Sequence, residues 1–129
     1  MFLDTSGLLC YHHQDELRHD DAVTLFESAG PKIVHNYVLA EFVALGLARG
    51  LPRIPTLDFV KALLDHPEVE TVWVDATLHR TAVTLLEKRL DKRYSLCDAV
   101  SFVLMSQRGV SEALTTDHHY DQEQFRRLL

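Results

Sequence analysis

A chain of 129 residues, 47% of them hydrophobic, is long enough to bury one sizeable core, and one domain over 1–129 is expected. Its 13 Lys plus Arg against 19 Asp plus Glu give a formal charge of -6, which argues against a simple basic groove wrapped on nucleic acid. Phosphate chemistry stays open, because bound cations reverse the field at an acidic cluster. Cys10 and Cys97 have neither metal-motif spacing nor the density of a disulfide-stapled domain. With no leader-like or membrane-length apolar stretch, a soluble, reduced, cytoplasmic protein without a membrane partner is expected.

Phe2 to Asp4 reads as a short strand stopping at Thr5-Ser6-Gly7, and helical spacing follows through Leu8 and Leu9 and later Ala22, Val23, Leu25 and Phe26, until Gly30-Pro31. Lys32 to His35 reads as a second strand. Asn36 is the expected N-cap of an apolar helix that runs to Arg49 and stops at Gly50-Leu51-Pro52. Another helix is expected after Pro55-Thr56, to about His66. Val69 to Val74 is β-branched and aromatic, with Trp73 inside the strand and Asp75 capping a helix from Ala76 to Leu90. Ser95-Leu96-Cys97-Asp98 has capping-box spacing and opens a helix to Arg108 and Gly109; Val110 to Thr115 is a fourth strand, and a short helix follows Asp121. Strands alternating with helices predict an α/β fold, a short parallel sheet flanked by helices on both faces.

Four acids stand where a folded chain should not want them. Asp4 and Asp117 end apolar strands, on the carboxyl edge where such sheets bind ligands, while Glu41 and Asp98 lie among Leu, Ala, Val and Phe early in their helices. Two carboxylates about 4 Å apart repel by roughly 4 kcal/mol at an effective dielectric near 20, so a shared pocket calls for a hard divalent cation such as Mg²⁺ or Mn²⁺. Such a cation activates water for attack on a phosphodiester.

The motifs Leu3-Asp4-Thr5-Ser6, Asn36-Tyr37-Val38-Leu39-Ala40-Glu41, Ser95-Leu96-Cys97-Asp98-Ala99 and Leu114-Thr115-Thr116-Asp117-His118-His119-Tyr120, in that order, resemble the PIN-domain ribonucleases, and within them the VapC-type toxins of toxin-antitoxin pairs. The likeness spans nearly the whole chain. It implies a three-layer PIN-like fold, a metal-binding and catalytic set of Asp4, Glu41, Asp98 and Asp117, with Ser6 and Thr116 as nearby hydroxyls, and cleavage of single-stranded RNA. It also implies a homodimer and an antitoxin whose C-terminal segment crosses the active-site groove. Cys97 replaces a small or hydroxyl residue and Tyr120 a common Phe; neither is expected to touch the acids, whereas Asp121 competes with Asp117 as the C-terminal carboxylate.

Blander readings exist for each residue. Asp98 can serve only the capping box, Asp4 only a turn, and Asp117 only a cap; Glu41 is harder to explain this way, because its neighbours Ala40, Phe42, Val43 and Leu45 leave few solvent-facing positions on that helix. His12-His13 and His118-His119 lack zinc-motif spacing, although His119 can face an RNA groove. Lys88, Arg89, Lys92 and Arg93 suit a solvated helix end or a grip on RNA phosphates. A phosphatase that opens on a strand-terminal Asp would need a second Asp where Ser6 stands. The alternatives in function are a non-catalytic RNA- or protein-binding module and a housekeeping RNA-processing nuclease.

Overall fold

The structure, a computed structural model, describes residues 1–129. Five strands form one sheet, β1 (Phe2–Leu3), β2 (Lys32–His35), β3 (Val69–Val72), β4 (Glu112–Leu114) and β5 (Arg126–Arg127), in the order β3-β2-β1-β4-β5 with every pair parallel. Seven helices connect or flank them: α1 (Thr5–His12), α2 (His19–Ser28), α3 (Asn36–Ala48), α4 (Arg53–Leu64), α5 (Ala76–Glu87), α6 (Leu96–Arg108) and α7 (His119–Gln122). Helices on both faces require the central strands to be apolar throughout, and Phe2, Leu3, Ile33, Val34, Ala113 and Leu114 are all buried.

The chain steps outward from β1 through β2 to β3, then returns to the other side of β1 with β4. The β1/β4 junction is therefore where strand order reverses, and the crevice outside its carboxyl ends is where open α/β sheets bind ligands. Gly7 keeps that junction tight. A Cβ there would lie 1.9 Å from the Leu114 carbonyl oxygen, so only glycine lets the first turn of α1 press against the end of β4.

Several boundaries differ from those expected. The helical stretch after Asp4 is two helices, parted by hydrogen-bonded turns over His13 to His19. Pro52 is the N-cap of α4 and Pro55 lies in its first turn, where a missing N–H costs nothing, so that helix begins before Pro55-Thr56. Asn36 does not cap α3: His35 does, its Nδ1 accepting from the Val38 N–H at 3.2 Å. The Asn36 Oδ1 instead takes the Val74 N–H at 2.7 Å, beyond the end of β3, and Trp73 is left 66% exposed outside the strand. α7 starts at His119, ahead of Asp121, because the Asp117 carboxylate accepts the His119 backbone N–H at 2.9 Å. The strand β5 had no sequence signal: two arginines extend the sheet edge by pairing beside β4.

Candidate metal centre and active site

Asp4 is the N-cap of α1, 5% exposed, and each carboxylate oxygen has assigned donors. Ser6 Oγ donates to Oδ2 at 2.9 Å, Thr115 Oγ1 donates to Oδ2 at 2.6 Å, and the Tyr120 phenol donates to Oδ1 at 3.0 Å. The hydroxyls are themselves oriented by backbone beyond β4. The Thr116 N–H donates to Ser6 Oγ at 2.9 Å and the Asp117 N–H to Thr115 Oγ1 at 3.0 Å, so two relays run from the β4 loop into one carboxylate. Oδ2 therefore takes two hydroxyl donors and Oδ1 the phenol of Tyr120. Burial raises the Asp4 pKa, and the bonds from Thr115, Ser6, the Thr5 backbone and Tyr120 oppose that rise.

Asp98 does two jobs. Ser95 Oγ accepts the Asp98 N–H at 3.0 Å and Asp98 Oδ2 accepts the Ser95 N–H at 2.9 Å, a complete capping box that fixes the carboxylate at the positive end of α6. Its pKa is nevertheless pushed up to about 6, first by burial and then by the charges of Asp117 and Asp4, against the Ser95 N–H and the His119 ring. Asp117 lies half-buried after β4, and ligand atoms of Asp98, Asp117 and His119 all fall within 4.8 Å of one another. The His119 Nδ1 is 3.5 Å from Asp98 Oδ2 and 3.3 Å from Asp117 Oδ1.

Glu41 is half-buried in the second turn of α3, and its charge is felt at Cys97, next to Asp98. Burial raises the Cys97 thiol pKa far above its usual range, and the next causes in order are the charges of Glu41, Asp4 and Asp98. Of the four acids expected from sequence, Asp98 and Asp117 lie together with His119, the charges of Asp117 and Asp4 act on Asp98, and those of Glu41, Asp4 and Asp98 act on the Cys97 thiol. Their chemistry suits a divalent cation: hard oxygens in excess of protein cations, raised carboxyls, and a ring nitrogen facing two of them.

Other residues fall differently. Tyr120, expected to stand clear of the acids, reaches Asp4 by its hydrogen bond, whereas Cys97 only feels their charges. Asp121 is exposed and pairs with Arg127 at 3.1 Å, away from the cluster. Thr116 is exposed and contributes its backbone, so the hydroxyl on Asp4 comes from Thr115, which the sequence reading passed over. Two adjacent threonines at a strand end can present only one inward, and only the strand register decides which. Of the basic run, Arg89 is tied to Glu123, with Nε to Oε1 at 2.7 Å, and Lys92 lies 3.5 Å from Asp91, while Lys88 and Arg93 are exposed.

Comparison with known proteins fits this geometry. Residues 1–126 match the PIN domain family. No curated protein matches the chain significantly. Among solved structures, VapC20 of Mycobacterium tuberculosis, described as a Sarcin-Ricin loop cleaving toxin, is similar with a TM-score of 0.88 and 28% identity, over 96% of this chain and 95% of that one. These likenesses support a ribonuclease with a VapC-type α/β fold. A short parallel sheet with acidic residues gathered at its β1/β4 crevice, matched along almost its full length, places this chain in the PIN-domain family.

Proposed function

We propose that this chain is a metal-dependent endoribonuclease, one catalytic unit over residues 1–129, that cuts single-stranded regions of RNA and serves as the toxin of a toxin-antitoxin pair in the cytoplasm. The observation that supports the reading is the grouping of Asp98 and Asp117 at the end of the sheet, with Asp98 pushed up to about 6 by burial and by the charges of Asp117 and Asp4; Glu41, whose charge acts on the adjacent Cys97, is proposed to complete the set. A bound Mg²⁺ or Mn²⁺ supplies a water acidic enough to attack the phosphodiester and a positive charge for the departing oxygen. The chain's own part is positional. Thr115, Ser6 and Tyr120 lock the Asp4 carboxylate, and the capping box locks Asp98, so neither has to reorganise when the scissile phosphate arrives. Exposed Lys88 and Arg93 are the proposed phosphate contacts of the basic run, since Arg89 is committed to Glu123.

A homodimer belongs to the same reading. The groove between Tyr37 of α3 and α5, about 680 Å³, is lined by Val74 and Val83 as well as Arg80, flanked by Asp75 and Glu87. Those two carboxylates repel a polyanion, whereas mixed charges around apolar side chains suit a second protomer. Light scattering should show a dimer that Val83→Arg dissociates. The antitoxin is proposed to set an Arg or Lys among the catalytic carboxylates, opposing metal binding.

The test of activity uses pure protein, Mg²⁺ and two RNAs: a transfer RNA and the sarcin-ricin stem-loop, the substrate named for VapC20. Cleavage at a few unpaired positions, stopped by EDTA and absent from an identically purified Asp4→Asn protein, is expected. Binding without metal-dependent cleavage would favour the non-catalytic module, and cleavage without growth arrest on expression would favour a housekeeping nuclease.

A further inference from the structure

The acid cluster contains one group that neither the carboxylate chemistry nor an RNA grip accounts for. His119 Nδ1 is shut off from solvent and faces Asp98 Oδ2 at 3.5 Å and Asp117 Oδ1 at 3.3 Å, yet it hydrogen-bonds to neither and has no other partner. A buried ring nitrogen without a partner carries the full cost of its desolvation, so its position needs a reason. If His119 only paired with the acids, an N–H would be aligned on one oxygen; both oxygens lie within 3.5 Å, yet neither makes a hydrogen bond with the ring nitrogen. A residue gripping RNA would be turned outward. The His119 side chain is 20% exposed, whereas its neighbour His118 is 70% exposed and faces solvent.

We infer that His119 is itself a metal ligand, making this a mixed nitrogen and oxygen centre that favours a first-row transition cation over Mg²⁺. The inference rests on the reading of the acid cluster as a metal centre and adds to it the nature of one donor and the selectivity that follows. His119 Nδ1 lies 3.5 Å from Asp98 Oδ2 and 3.3 Å from Asp117 Oδ1, spans that two bonds of about 2.0–2.2 Å to a common ion can bridge. The ring is held there before any ion arrives. The His119 backbone N–H is fixed on Asp117 Oδ1 at 2.9 Å, and the ring meets Tyr94 edge-on with centroids 5.3 Å apart. Imidazole suits first-row transition ions, whereas Mg²⁺ prefers oxygen and retains its waters, so one nitrogen donor changes which ion the carboxylates hold best.

Mn²⁺ alone is the probe. Pulsed electron paramagnetic resonance of the Mn²⁺-loaded wild type should show coupling to a directly bound imidazole nitrogen, retained in His118→Gln and lost in His119→Gln. Competition calorimetry should show the preference for Mn²⁺ over Mg²⁺ falling about tenfold in His119→Gln, with Mg²⁺ affinity little changed. Should His119→Gln fail to fold, as its metal-free melt will report, ¹⁵N-histidine labelling of wild type and of His118→Gln decides the matter, because a bound imidazole must exchange the ¹⁴N coupling for the ¹⁵N one and His119 is the one other histidine grouped with Asp98 and Asp117. Saturable Mn²⁺ binding with no nitrogen coupling would overturn His119 as a ligand and leave the carboxylate centre standing. Coupling lost in His118→Gln but kept in His119→Gln would likewise overturn it. No saturable Mn²⁺ binding at all would overturn the metal centre and this inference with it.

Discussion

The two edges of the sheet each bury charge, and they treat it in opposite ways. At the amino edge, the Lys32 side chain opening β2 is 1% exposed and Nζ donates to the carbonyls of Ala29 at 3.1 Å and Gly30 at 3.0 Å. It also lies 3.5 Å from Glu68 Oε2 and 4.6 Å from the centre of the Phe26 ring. The chain supplies everything this ammonium needs, so Lys32 is structural. At the carboxyl edge, Asp98 is pushed up to about 6 among like charges and His119 Nδ1 has no hydrogen-bond partner. A buried charge whose partners all come from the chain holds the fold together, whereas one whose partners are missing marks where a ligand acts.

The strongest way to break this comparison is to remove single charges at either edge. Asp4→Asn, Glu41→Gln and Asp117→Asn should each cut RNA cleavage on the order of a thousandfold or more, because ligands of one centre fail as a unit. Lys32→Met, of similar volume, should leave cleavage unchanged. End-labelled RNA on a gel with folded variants measures both. Near-wild-type turnover in any of the acid variants would show that the carboxyl edge is no more than a strained acidic surface.

A smaller effect belongs to Tyr120, which supplies the only side-chain donor to Asp4 Oδ1. Tyr120→Phe keeps the ring in its contact with Phe102, 5.0 Å between centroids, and removes only the phenol. Metal affinity by calorimetry should fall about 10- to 100-fold, as when a partner that orients a ligand is lost, while the metal-free melt should move by about 1 kcal/mol or less. Equal affinity in the two proteins would mean that Ser6 and Thr115 alone orient Asp4.

How much of this was legible in the sequence differs between edge and centre. Acids ending strands or opening helices could be read directly, because strand and helix periods are local and the sheet's carboxyl edge follows from alternation. The groups that aim those acids could not. Whether Thr115 or Thr116 reaches Asp4 depends on the last residue of β4 in register, and a Tyr in place of Phe becomes a positioning group only because α7 carries its hydroxyl back to β1 over a separation of 116 residues. The cap at His35 was hidden for a similar reason: Asn36, the better N-cap by type, is drawn to the Val74 N–H of a neighbouring strand end. β5 has no apolar pattern at all, since an edge pairing of two arginines is made by backbone alone.

A change at the amino edge sharpens the contrast from the other side. Lys32→Ala should cost the metal-free protein about 2 kcal/mol, the order expected for hydrogen bonds to a charged group, and leave Mn²⁺ affinity unchanged. Urea denaturation and calorimetry on the same preparation would check the pair. A loss of metal affinity matching the loss of stability would mean that the two edges are coupled through β2 and are not separate solutions.

The last effect is a slope with pH, and it sets two buried groups against each other. His35 is fully buried between the Val38 N–H and Ser101 Oγ, 2.8 Å from Nε2, and burial holds its pKa at about 3. Its folded value is depressed, so the stability it contributes is complete above about pH 6.5 and is lost as pH falls toward 3. Asp98 has the opposite sign. Its folded value of about 6 lies above the ordinary 3.8, so its contribution is complete below that ordinary value and is lost as pH rises through 6. Between about pH 4 and 6 each of these two slopes approaches about 1.4 kcal/mol per pH unit in opposite directions, so the two contributions largely offset each other in EDTA. Asp98→Asn removes one of the two. The variant should therefore lose stability as pH falls from 6 to 4, and its advantage over wild type should grow through that window and level off above it. Urea midpoints measured at half-unit steps give the difference curve, in which His35 and the other titrating groups cancel. A difference that stays constant from pH 4 to 7 would mean that Asp98 is an ordinary solvated carboxylate. Saturating Mn²⁺ at pH 7 should reverse the order, because the ion favours the ionised wild-type side chain over the amide.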